Sequence, residues 1–173
     1  MATINVGVGD VYVVDYDTSI PVDSTIEVAA NKIPHTSGGV TFDYTANNTA
    51  ITDDKGVMVD RAKEDESLTV RIGILEDMVD MYEWLSETAK IEDTDPTNTT
   101  ISIGGEVQSG KKFIVRYVHT RKSGKKVRYT AIVLPADGFS EPYTKGTAKI
   151  VDCSLTATPM NAEGKLLEKK IEK

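Results

Sequence analysis

Glu66-Ser67-Leu68-Thr69-Val70-Arg71-Ile72-Gly73-Ile74 is the stretch that decides the fold. Leu68, Val70, Ile72 and Ile74 fall on one side of an extended chain, and Ser67, Thr69, Arg71 and Gly73 on the other. A period of two held over this length marks a strand with one buried face. The pattern changes directly afterwards. Leu75, Met78, Val79, Tyr82, Leu85 and Ala89 recur at spacings of three and four, which predicts an amphipathic helix over 76–90 with Trp84 beside its stripe. Glu76, Asp77 and Asp80 in its first half and Lys90 near its end suit the helix dipole. Asp93-Thr94-Asp95-Pro96 ends it, because Pro96 cannot continue the hydrogen-bond ladder.

Outward from this pair the chain reads as strands. Towards the N-terminus, Val40-Thr41-Phe42-Asp43-Tyr44-Thr45 alternates, and residues 46–56 are polar, as expected of a hairpin tip or long loop at about 45–59. Val57-Met58-Val59-Asp60 is a short strand candidate. Pro21, Pro34, Gly38 and Gly39 break the chain before it, leaving room for short extended pieces such as Thr25-Ile26-Glu27-Val28. Ile4 to Val14 is Val-rich and reads as one or two strands, with Gly7-Val8-Gly9 as a bend or bulge. Towards the C-terminus, Ile101-Ser102-Ile103 opens a second β half. Lys112–Thr120 and Lys126–Leu134 flank Arg121-Lys122-Ser123-Gly124-Lys125, a strong hairpin signal. Phe113, Val115 and Tyr117 share one face of the first arm; Val127, Tyr129, Ala131 and Val133 share one face of the second. Thr147–Ala157 alternates again. One helix cannot cover both faces of a parallel sheet, so the expected fold is mainly β: an antiparallel sandwich or barrel with one helix on its side. Residues 1–160 form one domain, and 161–173 a charged C-terminal surface arm.

The chain of 173 residues carries a net charge of −7, unevenly spread. Residues 1–110 hold 21 Asp and Glu against 6 Lys and Arg; residues 111–173 hold 6 against 14. Opposite charges on different faces would let copies associate head to tail, steered by complementary potential. The acidic total argues against nucleic-acid binding driven by phosphate neutralisation. No apolar run approaches the roughly eighteen residues needed to span a bilayer, so no membrane partner is expected. Met1-Ala2-Thr3-Ile4-Asn5 has neither a basic region nor an apolar stretch, and no signal peptide is expected. The single Cys153 excludes an intrachain disulfide.

The motifs that would carry chemistry are incomplete. Gly105-Glu106-Val107-Gln108-Ser109-Gly110-Lys111-Lys112 approaches a phosphate-binding loop, but Lys112 replaces the Ser or Thr that holds magnesium, and a strand follows where a helix is required. His35 and His119 have no Cys or carboxylate at metal-ligand spacing. Cys153 sits on an alternating apolar face, as a small buried hydrophobe does. Asp53-Asp54 and Glu64-Asp65-Glu66 are contiguous rather than alternately spaced, which suits a solvated acidic loop better than a calcium loop. The expectation is a chain with no catalytic residues, no metal and no cofactor.

Three features read together resemble the tail tube proteins of long-tailed bacteriophages: a short extended arm, Met1 to Asp10; a long polar hairpin, about Thr45 to Val59; and the strand Glu66–Ile74 running into one acidic amphipathic helix before a second β half. The resemblance implies a β-sandwich subunit of the virion that assembles with itself. Six copies would form a ring, and rings would stack into a tube around a tape-measure protein and beside other tail proteins. DNA would later pass through without specific binding. Asn47, Asn48, Asp53, Asp54 and Lys55 would form the loop that reaches a neighbour. Arg121, Lys122, Lys125 and Lys126 form a basic hairpin tip that suits an acidic neighbour at least as well as a nucleic acid, since Tyr117 and Tyr129 are the only aromatics interleaved with it. Two other readings fit the same β class. One is a different phage part, such as a decoration or tail-completion protein. The other is a monomeric β-sandwich binding module, which the aromatic content of 6% disfavours.

Overall fold

The alternating strand is longer than its apolar pattern. In a computed structural model describing residues 9–75, 78–107, 110–145 and 149–173, it extends backwards to Met58. The elements in chain order are β1 (Asp10–Asp15), α1 (Asp23–Ile26), a 3-10 turn (Ala29–Asn31), β2 (Thr36–Thr52), β3 (Met58–Ile74), α2 (Met81–Leu85), β4 (Lys90–Asp95), β5 (Asn98–Ser102), β6 (Phe113–Thr120), β7 (Lys126–Val133), β8 (Val151–Thr158) and β9 (Glu168–Ile171). The protein is mainly β, and every strand pair is antiparallel.

Seven strands form one sheet, six of them along the path β1-β6-β7-β8-β3-β2 and the seventh, β9, on β7, while β4 and β5 pair separately. The path folds over at β8. That strand runs beside β3 from Thr69↔Thr156 to Ile74↔Val151, yet meets β7 only at Ile132↔Thr158 and Val133↔Ala157. The halves β1-β6-β7 and β8-β3-β2 therefore face each other, and their inward side chains share one core. Leu68, Val70, Ile72 and Ile74 meet Phe113, Val115, Tyr117 and Ala131 there. Phe42 of β2 stacks on Tyr129 of β7 across the interface, ring centroids 5.6 Å apart.

The outer face of β1 and β6 is covered as well. Tyr12, Ile114 and Val118 pack with Ile26 of α1 in a second cluster. Burial on both sides explains why β6 reads as a nearly continuous apolar run rather than an alternation. Gly9, immediately before β1, has no room for a side chain. An added Cβ would lie 2.5 Å from the Tyr117 ring and 2.6 Å from the Val118 carbonyl oxygen. Gly9→Ala is expected to cost about 1–3 kcal/mol by overpacking, read as a lower urea midpoint with an unchanged slope. Gly7 and Val8 lie outside the described residues, as does most of the Met1–Asp10 arm.

Four sequence expectations are corrected. The helix over 76–90 is a single turn, Met81–Leu85; Glu76 and Asp77 lie outside the described residues. Its buried residues are Met81, Trp84 and Leu85, while Val79 of the predicted stripe is exposed. Ser86 ends it: its backbone is extended, and its hydroxyl accepts from Thr88 N–H at 3.2 Å, the local alternative that serine offers to a helix. The chain then becomes strand β4. Asp95-Pro96-Thr97-Asn98 is consequently the turn of the β4–β5 hairpin, with the Asp95 carboxylate accepting from Thr97 N–H at 2.8 Å and Asn98 Nδ2 at 2.9 Å. Thr25-Ile26-Glu27-Val28 is not extended; α1 ends within it because a helical turn aims Ile26 into the outer cluster. Residues 161–173 are more than a charged surface arm. Leu166 is buried in the main core, and β9 pairs with β7 from Thr130↔Glu168 to Val127↔Ile171. It fills the stretch of β7 edge that β8 leaves open, satisfying backbone groups there.

Candidate assembly surfaces

The β2–β3 hairpin is the most conspicuous surface. Its strands stay paired from Val40↔Ile72 out to Thr52↔Met58, with the register shifted by bulges at Asn47/Asn48 and Ile51/Thr52. β8 accompanies β3 only as far as Thr69, so the outer part of the hairpin is a two-stranded ribbon. Side chains on both its faces are exposed. Among the described residues β2 pairs with β3 alone, so its other edge of backbone donors and acceptors is open. That edge has little protection. Natural edge strands carry Lys, Pro or several charges to prevent pairing. The seventeen residues of β2 contain only Asp43 as a charge, and no proline.

The predicted loop residues divide by role. Asn47 and Asn48 are strand residues at the bulge, opposite Asp65 and Lys63. Asp53 closes the turn, its Oδ1 accepting from Lys55 N–H at 2.9 Å and Val57 N–H at 2.8 Å. Gly56, at φ +77°, supplies the left-handed residue that the turn needs. Asp54 and Lys55 point into solvent. Beside them, and not singled out in the sequence, Ile51, Val57, Met58 and Val59 are exposed apolar side chains, each 45–62% accessible. The Val-Met-Val run was legible as a strand, but not as an apolar surface.

The basic hairpin tip forms as expected between β6 and β7. Arg121 N–H donates to the Lys125 carbonyl and Gly124 N–H to the Arg121 carbonyl, both at 2.9 Å. Arg121, Lys122 and Lys125 are exposed, whereas Lys126 is tied down, its ammonium 2.9 Å from Glu27.

Lys126 belongs to an ion cluster on the outer face of this half. Arg116 is fully buried in β6, donates to Thr130 Oγ1 at 3.1 Å and pairs with Asp23. Arg128 pairs with Glu27 and, at 2.6 Å, with Glu172 beyond β9. The cluster thus clamps α1 and the C-terminal strand to the same two strands. Burial pushes the Glu27 carboxyl upward, but hydrogen bonds from Arg128 and Lys126 outweigh it and hold the group below its ordinary range. Asp23 shows the same balance, with Arg116 prevailing over burial. Sequence reading missed this cluster; Arg116, a cation inside the apolar run of β6, was its visible trace.

The remaining candidates are placed as follows. Cys153 faces the core of β8, and burial pushes its thiol up to about 12. A thiol reagent at pH 8 is therefore expected to label the protein only on unfolding, at a rate set by opening. Labelling of the native protein as fast as a free thiol would contradict that placement. His119 pairs with Val127 at the end of β6–β7, and His35 accepts from Leu75 N–H through its carbonyl. Lys111 pairs with Glu83, and Lys112 leads into strand β6 rather than a helix; Gln108 and Ser109 lie outside the described residues. Among the described residues no three His, Cys, Asp or Glu side chains gather as a metal site.

No family model and no curated protein matches the chain. Among solved structures it is similar to the crystal structure of an Hcp protein, at 8% identity and a TM-score of 0.30, over 95% of this chain and 98% of that one.

Proposed function

We propose that this protein is a non-enzymatic structural subunit that assembles with copies of itself into stacked rings, as the tail tube of a phage virion does. The carrying observation is the β2–β3 hairpin: a long ribbon with an open, nearly uncharged edge and exposed apolar side chains at its end. A free edge of this kind favours strand addition, and pairing it with a neighbour removes the hazard it poses to an isolated subunit. Repeating one such heterologous contact gives a ring when the rotation closes. The number six, the tape-measure partner and the passage of DNA come from the resemblance. Location in the virion is part of the same proposal.

Negative-stain microscopy of the purified protein at rising concentration, alongside its mass in solution, tests the reading. Rings or hollow tubes are the expected result. A chain that stays monomeric at millimolar concentration, in low and high salt alike, would overturn it.

A further inference from the structure

We infer that the tip of the β2–β3 hairpin docks on the basic β6–β7 turn of a second copy. The inference rests on the self-assembly reading and specifies the two surfaces that meet. The tip combines the apolar Val57, Met58 and Val59 with an acidic balance, Asp53, Asp54 and Asp60 against Lys55 and Arg61. The turn offers the complement. Arg121, Lys122 and Lys125 are exposed cations with no side-chain ion pair among the described residues.

The acceptor also has apolar ground. Ile171 on β9, paired with Val127 beside the turn, is 47% exposed. Val28, next to the Glu27 that holds Lys126, is 39% exposed. An interface needs such a contact at its centre with charges around it, because rim charges alone contribute little affinity while fixing register and partner. Within one subunit the ion cluster already pairs Lys126 and Arg128, leaving the three turn cations for an outside partner. The same division of charge, acidic in 1–110 and basic in 111–173, makes another copy a complementary partner. The ribbon from Ala46 to Thr52 reaches roughly 20 Å, at about 3.3 Å per residue, enough to carry the tip onto a neighbour.

Charge exchange tests the contact. One variant carries Arg121→Glu, Lys122→Glu and Lys125→Glu; another carries Asp54→Lys and Asp60→Lys; a third carries all five. Folding is checked by circular dichroism, and assembly by sedimentation and microscopy. Each partial variant is expected to need at least about tenfold more protein to assemble, equivalent to about 1.4 kcal/mol. An equal mixture of the two, and the five-substitution chain, should recover most of the loss. Wild-type assembly by the first two variants, or no recovery in the third, would overturn the docking while leaving self-assembly in place. A turn variant that assembles normally but loses retention on DNA that the wild type shows would overturn it in favour of a polyanion partner. Failure of the wild type itself to assemble would instead remove the self-assembly reading, and the docking with it.

Discussion

Shortening the β2–β3 hairpin to a tight turn is expected to leave a folded subunit that no longer assembles. Asn47 and Asp65 are directly opposed. Replacing residues 48–64 by Asn-Gly therefore closes the ribbon with the two-residue turn that suits antiparallel strands. Removing only 47–54 would be a poorer test, because it strips one strand of the ribbon and leaves its partner unpaired. The deleted residues contribute nothing to either core cluster, so the thermal midpoint should shift by no more than a few degrees. Assembly should change far more. Ile51, Val57, Met58 and Val59 are about half exposed, and covering them in a neighbour would contribute roughly 3 kcal/mol or more. Losing that corresponds to about a hundredfold higher protein concentration for assembly. Tubes forming at the wild-type concentration would show that the hairpin is not the connector.

How far the sequence could be read depended on whether a residue's own neighbours set its conformation. Leu68–Ile74 alternates because one face is core and the other solvent, and Arg121–Lys125 is a turn because Gly124 provides a left-handed residue at φ +80°. Both signals are local. β9 has no such signal: Glu168-Lys169-Lys170-Ile171 has little strand preference and is extended because β7 offers it an open edge. β4 is equally hidden, since Lys90-Ile91-Glu92-Asp93-Thr94-Asp95 shows no apolar alternation, and of β5 only the end at Ile101-Ser102 carried a strand signal. The stripe from Leu75 to Ala89 did fit a helical period, yet the Ser86–Thr88 turn and the strand beginning at Lys90 prevailed. Among the candidate surfaces, the place of both hairpins was legible. The division of labour within them was not. Asp53 looks like Asp54 in sequence, but one closes a turn and the other faces solvent. The ion cluster was least legible, because Asp23, Glu27, Arg116, Arg128 and Glu172 are brought together only by the sheet.

That cluster carries the largest expected effect on stability. Glu27 is nearly buried and takes Lys126 and Arg128, with Arg116 at 3.7 Å. Glu27→Ala leaves Arg116 and Arg128 in place with less compensation, the situation in which a broken buried pair costs about 3 kcal/mol or more. For a chain of this size the thermal midpoint should fall by roughly 6–12 °C. The pH dependence distinguishes this cause from simple loss of packing. Glu27 and Asp23 are held below their ordinary ranges in the folded state. The unfolded chain therefore binds more protons as the solution is acidified through their unfolded values, near pH 4. Their stabilising contribution is complete above that pH and is lost as pH falls through the lower folded values. Urea midpoints measured from pH 7 to pH 3 should fall for the wild type and fall less for Glu27→Ala, so that the two curves converge in acid. Parallel curves across the whole range would mean that Glu27 acts by filling space, and that its charge does not hold α1 against β6 and β7.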